Sequence, residues 1–423
     1  MTSDPTAGRA YVWAWLPGAT DPVPAGALDA LAAPGGGHVL TFNYARSYLD
    51  RDDAPALYLP ELPKQLGRQA PPPGLDVAGV IRDAGPDAWG QRVVMRRLLG
   101  CDVRDRDPIE VPFLTYLLQS GSDRSGNLDF QSSRDHYVGR THGVSISDLL
   151  GAADDVQAGT AMDPGLAEAL AAGSSAGGAR PKATLTEDGR ALIAKFSAAA
   201  DNYPVMKAEG AAMDLARRVG LNVANSEVVE VDGRDVLLVE RFDRGPDGTR
   251  RAFVSALTIL GLDERVGHHA TYHELADQIR ARFVHRGATL AELFGRIVFN
   301  ILVSNHDDHA RNHAAFWDGD RLELTPAYDI CPQPRAGGEQ HQAMAINTDG
   351  TRISQVAACV AAAHVYELDE RRAREIIDHQ LEVIEAEWDD AADRSRLTTA
   401  EARQLKNHQI INKFTLYGYN SPA

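Results

Sequence analysis

Cysteine is scarce in this chain: three in 423 residues, Cys101, Cys331 and Cys359, odd in number and far apart. That spacing excludes a disulfide framework and a zinc module and points to a reducing compartment. Long apolar runs are missing as well. The best stretch, Leu293 to Val303, is broken by Arg296 and Asn300 and falls short of the roughly 18 residues a membrane span needs. The N-terminus lacks the basic-then-apolar layout of a secretion signal, so a cytoplasmic location with no membrane partner is expected. Positive charge is in deficit, with 43 Lys and Arg against 59 Asp and Glu and a formal net charge of −16. Such a balance excludes binding nucleic acid through a broadly basic face. One local exception, Arg92, Arg96 and Arg97, reads either as a solvated helix face or as a partner contact.

What is present is ordinary globular composition, 44% hydrophobic and 24% charged, in a chain long enough for two or three packed units. Residues 11–16 and 38–44 read as strands, with Pro and Gly clusters between them. A turn over residues 82–90 leads into a helix over 91–99, with Pro86 and Asp87 as start signals. Residues 120–127 read as a loop, and 145–156 and 164–172 as short helices. Two hairpins follow, 183–186 with 191–196 and 226–231 with 236–242, each turning at Asp-Gly and separated by a helix over 205–219. Beyond Arg244 the pattern is mostly helical: 252–261, 272–282, 289–303, 354–364, 370–386 and 399–412. One short hairpin, 314–317 with 321–325, interrupts it. The expected architecture is α+β and bilobal, kinase-like, with a β-containing N-terminal lobe and a mainly helical C-terminal lobe. It divides into a β-rich region at 1–120, a nucleotide-binding lobe at 145–243 and a helical catalytic lobe at 244–423.

The most informative stretch is Ser304-Asn305-His306-Asp307-Asp308-His309-Ala310-Arg311-Asn312, followed by Leu324-Thr325-Pro326-Ala327-Tyr328-Asp329-Ile330. Asp307 and Asn312 stand five apart, with Asp329 behind a short hairpin. This is the skeleton of a phosphoryl-transfer site: one Asp orients the acceptor hydroxyl, and the Asn and the later Asp hold Mg²⁺. The competing reading is an Asp/Asn-rich turn whose side chains bond local backbone. His306, His309 and His313 admit a His-ligated metal and a phosphohydrolase. In the other reading His309 orients the loop by bonding within it and His313 begins the strand. Gly173-Ser174-Ser175-Ala176-Gly177-Gly178-Ala179-Arg180-Pro181-Lys182 reads as a phosphate-cradling loop with two cations, or as a linker. Lys195 stands in an apolar strand, where a lysine either snorkels or meets an anion. Glu209 on the next helix is its candidate partner. Glu240-Arg241-Phe242-Asp243 occupies the position of an interlobe hinge whose backbone would read adenine.

Taken in order, these motifs resemble the HipA family of Ser/Thr kinases, toxins of bacterial toxin–antitoxin modules. The resemblance rests on Phe42-Asn43-Tyr44, the turn Asp83-x-x-Pro86-Asp87-x-Trp89-Gly90, the stretch from Ser175 to Lys182, and Ile193-Ala194-Lys195-Phe196. It continues through residues 239–244, 305–312 and 325–330. It implies an ATP- and Mg²⁺-dependent kinase with Asp307 as catalytic base and Asn312 and Asp329 as metal ligands. Around ATP it places Ser175, Gly177, Gly178, Lys182 and Lys195 at the phosphates, Glu240 and Phe242 at the adenine, and His309 and Tyr328 beside the catalytic loop. Ser175 resembles a serine that family members autophosphorylate to switch themselves off, with Ser174 as a rival. Implied partners are a protein substrate, suggested to be an aminoacyl-tRNA synthetase, and a HipB-type helix-turn-helix antitoxin, with DNA reached only through the antitoxin. One departure stands out: the family often carries Gly where this chain has Asp308, which either binds metal or caps the loop. A catalytically idle binding protein for an antitoxin or DNA complex is the remaining alternative.

Overall fold

The computed structural model describes residues 8–33, 36–99, 111–140, 145–158, 166, 170, 180–198, 201–334 and 339–420. The chain divides into two compact units. The first comprises Met1–Ala199, Glu240–Val254 and Phe316–Asp320; the second comprises Ala200–Val239, Ser255–Ala315 and Arg321–Ala423.

The first unit opens with an antiparallel sheet in the order β3-β2-β1-β4, built from β1 (Arg9–Trp15), β2 (Pro22–Ala32), β3 (His38–Tyr44) and β4 (Leu128–Gln131). β2 occupies a segment that sequence pattern gives only as Pro and Gly clusters. Its Ala- and Gly-rich run has low strand propensity, and its neighbours on both sides define it instead. Pro22 and Pro24 fit because pairing with β3 begins only at Gly26, and Pro24 faces a bulge between Val12 and Trp13. Asp87 starts helix α1 (Ala88–Leu99) by accepting from the Gly90 N–H at 2.8 Å, as the sequence signals predict. Arg92, Arg96 and Arg97 on this helix are half-buried, and the Arg97 guanidinium donates to the Gln119 carbonyl at 2.9 Å. Gln119 ends α2 (Phe113–Gln119), a helix the sequence reading does not contain. After α3 (Ile146–Ala158) comes the hairpin of β5 (Lys182–Glu187) and β6 (Arg190–Phe196). Most of the helix expected at 164–172 lies outside the described residues.

The second unit holds α4 (Val205–Arg218) and the hairpin of β7 (Ser226–Val231) and β8 (Arg234–Glu240). Both hairpins turn on two residues with positive φ, Asp188-Gly189 at 49° and 75° and Asp232-Gly233 at 51° and 74°. That is the mirror-image turn whose twist suits paired strands. The expected helix at 252–261 is instead a strand, β9 (Phe253–Ser255), followed by a single turn. Ser255 ends the strand and caps the turn by accepting from the Thr258 N–H at 3.3 Å. Helices α5 (Tyr272–Arg282) and α6 (Arg286–Leu302) follow, then β10 (Ala314–Trp317) and β11 (Leu322–Leu324). α7 (Val356–Ala362), α8 (Glu370–Arg394) and α9 (Thr399–His408) complete the unit, α8 running two turns past its expected end and packing on α4. α6 is the centre of this unit, with every residue from Leu293 to Leu302 buried. Cys331 and Cys359 are free and buried, and among the described residues no helix is long and apolar enough to cross a membrane.

The central sheet of the first unit has a sharp steric test. A Cβ on Gly26 would stand 2.2 Å from the Asn43 carbonyl and 2.6 Å from the Phe42 ring. Gly26→Ala is expected to destabilise this unit by about 1–3 kcal/mol, the usual cost of overpacking. Urea unfolding followed by tryptophan fluorescence checks this, and an unchanged midpoint would contradict the packing described.

Candidate active site

The catalytic-loop candidate begins where α6 ends. The Asn305 N–H donates to the Asn300 carbonyl at 2.8 Å and the Ser304 N–H to the Ile301 carbonyl at 3.2 Å. With Ser304 at φ 59°, this is a Schellman ending carrying serine where glycine is usual. The Ser304 hydroxyl offsets the strained backbone by donating to the Gln409 carbonyl. The sequence offered no sign of this serine's role.

The stop turns the chain sharply and sends out a loop that alternates exposed and buried residues. Asp307 is exposed; Asp308 and Asn312 are buried. The Asn312 N–H closes a turn onto the His309 carbonyl at 2.8 Å, and its side-chain Nδ2 donates to the Asp307 carbonyl at 3.4 Å. The hairpin of β10 and β11 then carries the chain back. Tyr328 donates its hydroxyl to the Arg311 carbonyl at 2.7 Å, and Asn305 Nδ2 donates to the Asp329 carbonyl at 3.4 Å. Asp329 is half-buried at φ 60°, a left-handed conformation of the kind that collects at functional sites. Asp307, Asn312 and Asp329 thus sit on one hydrogen-bonded scaffold. Asn312 and Asp329 present an amide and a carboxylate, the oxygen donor set that suits a hard cation such as Mg²⁺.

The histidines do not form a metal cluster. His313 Nε2 lies 2.9 Å from Asp308 Oδ2, while His306 Nε2 is 3.4 Å from the Pro334 carbonyl. Among the described residues no group of three or more His, Cys, Asp or Glu could hold a metal ion. The His309 ring does not bond within the loop as expected: its Nδ1 is buried with no hydrogen-bond partner, and its carbonyl carries the turn instead. Asp308 is the loop's buried anchor. Burial works against its charge, but the His313 ring and the Tyr272 hydroxyl outweigh that and hold its carboxyl below the ordinary range. Burial, reinforced by the Asp308 charge, keeps the Tyr272 phenol well above its usual value and therefore a proton donor.

Of the remaining candidates that are described, Lys182, Lys195, Glu240 and Phe242 lie in the first unit and Glu209 in the second. Ser175, Gly177 and Gly178, with Gly173 and Ser174, lie outside the described residues. Lys195 is half-buried on β6, and Glu209 is buried on α4 rather than on the surface. Lys182 is fully buried and already matched: its Nζ donates to Asp87 Oδ2 at 3.0 Å, and its carbonyl accepts from the Trp89 indole at 3.1 Å. The turn around Asp87 therefore grips the first residue of β5.

Glu240 and Phe242 are half-buried, the Phe242 ring packing edge-on to Phe316 at 5.8 Å. Between and beside them runs an ion network. Arg241 donates to Asp123 Oδ1 at 2.7 Å and to both Asp243 oxygens at 3.0 and 2.9 Å. Arg244 adds bonds to Asp123 at 3.1 Å and Asp243 at 2.9 Å, and Gly126 donates its N–H to Asp243 at 2.7 Å. The sequence shows a loop at 120–127 and a hinge at 240–243 but not that one holds the other. Arg250 stacks on the Trp15 ring at 3.6 Å; burial, then the charge of Arg244, brings its guanidinium down to about 10.

The HipA-like C-terminal domain family matches residues 174–388. The serine/threonine-protein kinase toxin HipA of Shewanella oneidensis is 28% identical over 160 residues, covering 32% of this chain and 36% of that protein. The Sinorhizobium fredii protein Y4mE is 27% identical over 146 residues, 33% of each chain. The chain thus spans about a third of the length of these relatives. In three dimensions it is similar to Shewanella oneidensis HipA, solved in a complex of HipA, HipB and operator DNA. The TM-score is 0.64 at 17% identity, over 92% of this chain and 93% of that one. That likeness shows the fold, a kinase-like α+β architecture.

The ion network carries a pH signature. Burial would raise the Asp123 carboxyl, but Arg241, Arg244 and Arg250 together hold it well below its usual range, and Asp243 is lowered in the same way. With the folded value depressed, the unfolded chain takes up the proton first as pH falls. The stabilisation is therefore complete above the ordinary carboxyl value of about 3.9 and is lost below it. Urea midpoints measured from about pH 6 down to pH 3 should fall steeply below that value, and less steeply in Asp123→Asn. Equal slopes for the two proteins would contradict the pairing.

Proposed function

We infer the activity from a family assignment and a site: the chain belongs to the HipA family, and we read it as a Mg-ATP-dependent protein serine/threonine kinase. The observation that carries this reading is the scaffold in the second unit, where exposed Asp307 stands on the same hydrogen-bonded loop and hairpin as Asn312 and Asp329. Asp307 takes the proton of the acceptor hydroxyl while that oxygen bonds to the γ-phosphorus and the bond to the ADP oxygen breaks. Asn312 and Asp329 hold the metal, which when bound neutralises charge on the phosphates. Lys195 faces the phosphates, and the backbone of Glu240 and Phe242 reads adenine, with Tyr328 and His309 bordering the loop. Lys182 serves differently: its ion pair with Asp87 makes it the fixed base of the Gly-rich loop rather than a mobile phosphate cation.

The loop itself, through Gly177 and Gly178, cradles phosphate and carries Ser175 as the autophosphorylation site. A phosphate there adds nearly two negative charges beside Arg180 and shifts the loop out of the nucleotide site. The protein target is a translation component of the aminoacyl-tRNA synthetase class. The regulatory partner is a HipB-type antitoxin, through which DNA is reached, and the setting is cytoplasmic.

Incubating the protein with Mg-ATP and mapping phosphopeptides tests the reading. Phosphate on Ser175 is expected in the wild type. Asp307→Asn should slow transfer by roughly 10²–10⁴-fold while ATP still binds. A variant as active as the wild type would remove Asp307 from its role, and phosphate on neither Ser175 nor an added protein substrate would overturn the kinase assignment.

A further inference from the structure

Asp308 is a costly residue to keep. It lies between the proposed base and the proposed metal ligand, only 3% exposed, and three side chains from three elements converge on one of its oxygens. Tyr272, at the start of α5, donates to Oδ2 at 2.5 Å; Asn300, in the last turn of α6, donates at 2.8 Å; His313, just before β10, lies at 2.9 Å. Burying such a group is repaid only when its partners are well placed, and an apolar cluster of the same size commonly holds a fold as well or better. What a carboxylate adds is direction.

The register shows what is being directed. Asp308 follows Asp307, and His313 follows Asn312, each by a single residue. The Asp308–His313 contact therefore ties together the two positions immediately after the two reactive residues. Asn312 Nδ2 spans the same gap from the other side by donating to the Asp307 carbonyl. Asn300 extends the tie into the helix end, since its Oδ1 accepts from Asn305 Nδ2 at 2.9 Å. Asn305 in turn reaches the Asp329 carbonyl. One buried carboxylate is thus linked to the backbone of all three proposed reactive residues, the longest path, to Asp329, running through three hydrogen bonds.

We propose that Asp308 is a positioning residue that, through His313, Tyr272 and Asn300, fixes the separation of Asp307 from Asn312. It is neither a metal ligand nor a mere loop cap. The proposal rests on the kinase reading for its kinetic consequence but not for its structural one. Positioning groups of this kind cost about 10–100-fold in activity or metal affinity when removed.

Two measurements on purified full-length protein test it. In steady-state assays, Asp308→Ala and His313→Ala should each lower kcat about 10–100-fold and raise the Mg²⁺ concentration needed for half-maximal rate, with the KM for ATP within about twofold. The double variant should be no worse than the weaker single one. In hydrogen exchange, amides of residues 304–313 should lose protection in Asp308→Ala while those of α6 up to Ile297 keep theirs. Should the alanine variants fail to fold, Asp308→Asn and Tyr272→Phe, which retain shape, are expected to show the same pattern at a smaller magnitude. A kcat within twofold of wild type, or a loss of protection spread evenly through the second unit, overturns the proposal. Failure of the kinase reading is distinguishable: the wild type would then transfer no phosphate at all, while the exchange pattern would still decide for or against the tie.

Discussion

A helix buried on all sides cannot leave a polar side chain unsatisfied, and that constraint organises the second unit of this molecule. α6 carries Arg296 and Asn300 one turn apart on the same face. Arg296 is matched by Glu292 at 2.8 Å, the Thr325 carbonyl at 2.8 Å and the Asn222 carbonyl at 3.1 Å. Asn300 is matched by Asp308 and Asn305. The two side chains that interrupt the best apolar run in the sequence are the ones that fix the hairpin leading to Asp329 and the loop bearing Asp307. An apolar residue at either place would satisfy the core and leave the site without a reference point. The desolvation cost of these groups is incurred in exchange for geometry.

The first unit uses the same means for a different part. Asp87 caps α1 and pairs with Lys182, so one carboxylate links the turn at residues 86–90 to the strand that leaves the Gly-rich loop. The Arg241, Asp243, Arg244 and Asp123 network fixes the segment carrying Glu240 and Phe242 against the loop at 122–126. In each case a long-range ionic contact sets the direction of a short segment whose own sequence would leave it loose.

Much of this was legible in the chain, and what was not has a physical reason. The Asp-Gly hairpins were plain because two residues determine the turn. Asp307, Asn312 and Asp329 stood out as candidates because two short stretches hold them in the order that phosphoryl transfer would need. β2 was not, because its strand character comes from its neighbours and not from its own alanines and glycines. Nor was the strand at 253–255, whose apolar run is too short for periodicity to separate helix from strand. The pairing of Lys182 with Asp87 joins residues 95 apart, and that of Gly126 with Asp243 joins residues 117 apart. No local pattern encodes such a partner. Asp308 was visible as a departure, but its meaning depended on Tyr272 and Asn300, which sequence alone did not bring to it.

The central claim is that Asn312 and Asp329 form a cation site in the service of ATP. Calorimetric titration of ATP into the purified protein, with Mg²⁺ and again with EDTA, tests it most directly. The account predicts saturable binding with Mg²⁺ that weakens strongly without it, and a smaller difference between the two conditions in Asp329→Ala than in the wild type. ATP affinity indifferent to the metal, or no binding in either condition, would contradict it.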